Sequence, residues 1–144
     1  LRKFQSEDAI SVLCVHGTKH WWDRLRWICD VAELVNSQRV TDWDRVEATA
    51  IETNCRRSVS LGLFLASDLL DAKLPNDTRR RLERTPGVRR LASQVRNWLE
   101  CAERGKQVRN VRERFRFRMG VCERMRDQVP QILHYLFARP RPVR

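Results

Sequence analysis

Two histidines and a lysine stand within five residues, His16-Gly17-Thr18-Lys19-His20. Trp21-Trp22 follow at once, and Asp30 lies ten residues beyond His20. Histidines four apart share a face if one helix runs through Gly17. Three readings are open to this set. Lys19 and His20 can donate hydrogen bonds to an anion, with Asp30 as the carboxylate that orients or activates a group. His16, His20 and Asp30 could instead ligate a metal in a helical hydrolase. Against that, Gly17 occupies the place where a zincin motif carries its general-base Glu. The third reading is a helix end with its aromatic neighbours packed in a core.

Two other groups carry chemical potential. Asp42-Trp43-Asp44 has the form of a DxD metal pair. Side chains two apart on a helix diverge by about 200°, so the pair is expected to act as first-turn acids that stabilise a helix dipole. Arg79-Arg80-Arg81 and Arg84, followed by Arg89 and Arg90, form a basic patch with Glu83 among them. Phosphate or RNA contact and a plain solvated surface are both open there. Between Arg109 and Arg126, Arg109, Arg112, Arg116 and Arg124 fall opposite an apolar stripe. Glu113 and Glu123 share their side, which is the pattern of a solvated, salt-bridge-laced face.

The elements that must position these groups are all helical. Ser6 is expected to cap a first helix reaching about His16, where Gly17-Thr18 weakens or ends it. A second should cover Trp22 to Leu34. Thr41 should cap a third, with Trp43, Val46, Ala50 and Ile51 on one face. The fourth, Arg56 to Leu70, is apolar almost all round and belongs at the centre. A short basic helix, Asn76 to Arg84, follows Leu74-Pro75. Thr85-Pro86 should open a helix whose stripe is Leu91, Val95, Trp98, Leu99 and Ala102. A helix from about Val108 carries Val111, Phe115, Met119 and Cys122 on one side, with Phe117 and Val121 off that stripe. A last one is expected at Val129 to Phe137. No segment alternates with period two. The expected fold is all-α, an irregular bundle of about six to seven helices. It forms a single domain over 1–144, divisible into sub-bundles 1–73 and 76–144.

Composition agrees with a globular chain: 144 residues, 42% hydrophobic and 33% charged. The longest apolar run, Val59 to Ala66, is too short and too charged at its edges to span a bilayer. Five cysteines without a CxxC pair argue against a zinc ribbon. They point to reduced thiols in a cytoplasmic protein, buried as small hydrophobes. The net charge of +11 favours phosphates, nucleic acid or an acidic partner.

Leu13-Cys14-Val15-His16-Gly17-Thr18-Lys19-His20, then Trp22, Leu25, Trp27, Asp30 and Leu34, then Asp42-Trp43, resemble the uncharacterised bacterial nucleotidyltransferase family of the polymerase-beta-like superfamily. Arg56-Arg57, Leu74-Pro75 and Arg139-Pro140 add a more diffuse similarity. The resemblance implies a helical half that follows a domain bearing a Gly-x-Asp-x-Asp motif, absent from this sequence. That domain would bind Mg2+ and transfer a nucleotidyl group from an NTP to an unknown acceptor. By position, Lys19, His16 and Arg24 would contact substrate phosphate. His20 would hydrogen-bond phosphate or orient Asp30, and Asp30 would support the metal site or the acceptor. No metal is assigned to this chain itself. The alternative is a stand-alone basic module that binds RNA or an acidic protein through Arg79, Arg80, Arg81 and Arg84.

Overall fold

The computed structural model describes residues 5–105 and 110–123. Among these residues there are seven helices and no strand. They are α1 (Ser6–Lys19), α2 (Leu25–Asn36), α3 (Trp43–Glu52), α4 (Arg56–Leu70), α5 (Asn76–Arg84), α6 (Val88–Glu103) and α7 (Val111–Val121). The all-α expectation holds. The helix expected at Val129 to Phe137 lies outside the described residues.

Helix α4 is the central element, as its all-round apolar sequence predicts. Val59, Leu61, Leu63, Leu65 and Ala66 are buried, and α1, α2, α3, α5 and α6 all pack against it. Helix α2 meets it with Ile28, Val31, Ala32 and Val35, the i, i+3, i+4, i+7 stripe of an amphipathic helix. Helix α6 contributes Leu91, Ala92, Val95 and Trp98.

The first helix runs three residues past the expected stop at His16. Gly17 is buried inside it, and a Cβ there would lie 2.5 Å from the Trp22 ring. The missing side chain makes room for an indole that is 0% exposed. Packing therefore outweighs the weak helix propensity of glycine. Gly62 of α4 closes the same seat, since its Cβ would meet Cys14 Sγ at 2.5 Å and Trp22 at 2.8 Å.

To reach that seat the chain turns sharply. Trp22 N–H donates to Gly17 C=O at 2.8 Å and Trp21 N–H to Thr18 C=O at 3.0 Å. This is the Schellman pattern of a helix C-terminus. Trp21 (φ 54°) and Trp22 (φ 53°) both take left-handed conformations that bulky residues rarely adopt. The second helix consequently starts at Leu25, not Trp22. Trp21 itself lies under α7, with the Arg114 and Arg118 guanidinium carbons 4.9 and 5.3 Å from its ring centroid.

Several helix starts differ from expectation because a neighbour satisfies the orphan amides. Gln5, not Ser6, is the N-cap of α1, and its N–H donates to Asp8 Oδ2 at 3.0 Å. Glu7 is not a solvated first-turn acid. It is buried, and its Oε1 accepts from the N–H groups of Thr41 (3.0 Å) and Asp42 (3.2 Å). With Thr41 committed to Glu7, Asp42 takes over the capping of α3 and accepts from Arg45 N–H at 2.9 Å. Thr85-Pro86 does not open α6. Thr85 closes α5 and Gly87 (φ 81°) is the cap.

The apolar stripe of α7 is also corrected. Phe117 is the fully buried residue, its ring centroid 5.2 Å from that of Trp98, whereas Val111 is exposed. The carboxylates expected on a solvated face point inward. Glu113 accepts from Trp98 Nε1 at 3.3 Å, and Glu123 accepts from the Arg57 backbone N–H. Arg57 in turn donates to the C=O groups of Gly120 (2.6 Å) and Cys122 (3.0 Å), which joins the start of α4 to the end of α7. Arg112 and Arg116 are exposed as expected, and Arg109 and Arg124 lie outside the described residues. Of the five cysteines only Cys14 is fully buried, and burial pushes its thiol pKa up. Cys29 is exposed and the other three are half-buried, so the expectation of buried thiols fails for them.

Candidate functional site

The continuation of α1 through Gly17 decides the geometry of the chemical cluster. His16 and His20 fall one turn apart, with ring centroids at 4.6 Å. Trp27 of α2 completes the group. Its ring meets His16 edge-on at 4.8 Å and lies nearly parallel to His20 at 5.6 Å. Trp27 is held in turn by Asp23, whose Oδ1 accepts from Nε1 at 3.2 Å. The Arg26 guanidinium carbon stands 5.6 Å from the Trp27 centroid. A polar-edged aromatic surface therefore spans the α1–α2 junction.

Among the described residues Lys19, Arg24 and Arg26 have no carboxylate within ion-pair distance. Lys19 ends α1, and Arg24 is the exposed cap of α2. Asp30 is half-buried on α2, one turn beyond Trp27. No hydrogen bond joins Asp30 to His20 or Lys19 among the described residues. The carboxylate that organises the cluster is Asp23. Trp27, Asp23 and Arg26 were missed as site residues from spacing alone. The i, i+4 relation of Asp23 to Trp27 was the available signal.

Among the described residues no three of His, Cys, Asp and Glu are grouped to hold an ion, so Asp30 does not complete a set with the two histidines. Of the two acids expected in the first turn of α3, only Asp44 lies there. Asp42 caps α3, and Asp44 accepts from Arg81 at 2.8 Å.

The basic patch is divided by its partners. Arg81 also donates to Glu47 at 2.6 Å and so ties α5 to α3. The Asp44 and Glu47 hydrogen bonds hold its guanidinium even further above the ordinary pKa. Arg79 faces Glu83 at 3.8 Å and Arg80 faces Asp77 at 4.0 Å. Arg84 is exposed with no such partner among the described residues. The four arginines thus become one structural clamp, two weakly paired surface cations and, among the described residues, one unpaired cation.

Two hollows bear on ligand binding. One, between α3, α4 and α5, has a volume of about 30 Å³, room for little more than a water. The other is an open groove of about 540 Å³ between α1 and α3, lined by Ser11, Val12, Val15, His16, Lys19 and Cys55 among others. It meets the aromatic cluster at His16.

The model of a family described as uncharacterised nucleotidyltransferase matches residues 1–71. No curated protein and no solved structure matches the chain. The matched segment contains the whole His16–Asp30 cluster, the Trp22 seat and helices α1 to α4.

Proposed function

Because residues 1–71 match the model of the uncharacterised nucleotidyltransferase family, we propose that this chain is the helical part of an enzyme that transfers a nucleotidyl group from an NTP to an acceptor. One observation carries this reading. The His16, His20 and Trp27 rings meet, Arg26 stands over Trp27, and the same α1–α2 junction carries Lys19 and Arg24; none of the three cations has a carboxylate partner among the described residues. Aromatic faces stack on nucleobases, worth about 1–3 kcal/mol per base. An unpaired ammonium or guanidinium suits a phosphate. In the transfer an acceptor oxygen bonds to the α-phosphorus, the bond to the β-phosphate oxygen breaks, and pyrophosphate departs. Lys19, with Arg24, would balance the phosphate charge. His20 would bond a phosphate oxygen, and Asp30 would orient the acceptor.

The residues present do not fit a Mg2+ site, so no step is derived through the ion. The paired carboxylates such a site needs would stand on a separate catalytic domain, because Asp42 and Asp44 are already occupied. The test is nucleotide binding and transfer by the intact gene product, wild type against Lys19→Ala and Asp30→Ala. Losing one charged phosphate contact worth about 1.5–3 kcal/mol weakens binding roughly 10- to 100-fold. Lys19→Ala is expected in that range, and Asp30→Ala is expected to lose transfer more than binding. Equal binding and equal transfer in all three proteins would remove the assignment.

A further inference from the structure

Helix α7 keeps its surface arginines and loses the acids that should neutralise them. Glu113 turns to Trp98 Nε1 at 3.3 Å, and Glu123 turns to the Arg57 backbone N–H. Arg112 and Arg116 are exposed, and among the described residues neither has a carboxylate within ion-pair distance. At about 100° per residue, Arg112, Arg116 and Gly120 follow one another along a single flank of α7.

Gly120 adds a third cation to that flank by having no side chain. A Cβ there would lie 3.1 Å from Arg90 Nη2, so the guanidinium of α6 reaches over the place that a side chain would fill. Arg90 is exposed and likewise without a carboxylate partner among the described residues. The two helices are held side by side beneath it. Gln94 donates to Glu113 C=O at 3.4 Å, and the Trp98 and Phe117 ring centroids are 5.2 Å apart. Three guanidiniums therefore stand in a row at intervals of about one helix turn, roughly 5–6 Å.

Like charges at this spacing repel, and an anion running along the row relieves that repulsion. A lone phosphate would answer one cation. An acidic protein surface would supply charge without the regular interval. A nucleic-acid strand carries one phosphate per nucleotide at a regular interval, and a guanidinium fork pairs with two phosphate oxygens. We propose that the α6–α7 flank holds a single nucleic-acid strand by its phosphates, through Arg90, Arg112 and Arg116. The flank lies beyond the residues 1–71 that match the family model, and neither Lys19 nor Asp30 enters it. It stands or falls apart from nucleotidyl transfer.

The test is fluorescence anisotropy of labelled oligouridine and oligothymidine, each about 12 nucleotides long, with the full chain. Salt is varied from about 50 to 200 mM. Arg90→Gln, Arg112→Gln and Arg116→Gln combined should weaken binding at least tenfold at the lowest salt. Each phosphate contact on a single strand contributes about 0.7 to the slope of log affinity against log salt, so that slope should fall by about 2. The corresponding triple lysine variant should keep the slope and lose affinity severalfold. Arg39→Gln, Arg80→Gln and Arg84→Gln combined remove the same charge elsewhere and should cost less than threefold. Because the row repels itself, its triple glutamine variant should unfold at the wild-type temperature or above. The two strands should bind within tenfold of each other, and poly-glutamate of equal charge should compete at least tenfold less well. No binding by wild type, an unchanged slope in the triple glutamine variant, or an equal loss in the control triple would overturn the proposal. So would a lowered unfolding midpoint, a larger preference for one strand, or equal competition by poly-glutamate.

Discussion

Gly17 shows how much can rest on an absent side chain. A methyl group there would sit 2.5 Å from the fully buried Trp22 ring, which Gly62 also approaches closely. Overpacking of this kind costs about 1–3 kcal/mol. The helix-propensity gain on replacing glycine is at most about 1 kcal/mol. Gly17→Ala should therefore lower the midpoint of thermal unfolding by several degrees, despite making a better helix on paper. An unchanged or raised midpoint would show that the indole seat is looser than described. Glu7 gives a second residue-scale test. Its own backbone N–H, then those of Thr41 and Asp42, stabilise the ionised form and hold its pKa below the ordinary carboxylate value. A depressed folded pKa contributes stability that is complete above the unfolded pKa, about 4.3. That stability is lost as pH falls through the folded value. Glu7→Gln should thus cost about 1–2 kcal/mol at pH 7 in urea unfolding, and the difference should shrink at pH 3. A penalty that does not change with pH would mean the charge of Glu7 is not what matters.

Among the elements, α7 depends most visibly on one distant contact. Arg57 at the start of α4 donates to two carbonyls at the end of α7, and Glu123 answers at the Arg57 backbone N–H. Arg57→Gln should accelerate amide hydrogen exchange across 111–121 roughly tenfold or more, if the charged bonds are worth about 1.5–3 kcal/mol. Exchange in α1 to α4 should change little. The helices themselves were legible from periodicity and turn residues, and α4 was placed at the centre from its apolar circumference. The departures come from contacts that periodicity does not encode, one across a sharp turn and the others between residues far apart in sequence. Gly17 looks like a helix stop until Trp22 is seen against it. Thr41 looks like a cap until Glu7 takes its N–H. Phe117 falls off the apparent stripe of α7 because Trp98 meets the other side. In the site, the pairing of His16 with His20 was legible as an i, i+4 relation once the helix continued. The third ring, Trp27, was hidden because the Schellman turn brings α2 back over α1, and no local spacing encodes that.

For the whole molecule the charge of +11 is less diffuse than its sequence suggests. Arg45, Arg57, Arg81 and Arg96 each hold two elements together. Arg81→Gln should lower thermal stability. Arg84→Gln, which breaks no ion pair among the described residues, should stay within about 0.5 kcal/mol of wild type, as surface substitutions usually do. The account rests on Lys19, Arg24 and Arg26 at the α1–α2 junction, which have no carboxylate partner among the described residues. The most direct test is nuclear magnetic resonance of the imidazole carbons of His16 and His20, assigned through His16→Gln and His20→Gln. The chain would be titrated with ATP into the millimolar range. Both imidazoles should shift together and saturably, and Lys19→Ala should abolish or greatly weaken the response. Resonances of His16 and His20 that stay fixed while the intact gene product transfers nucleotide would contradict the account.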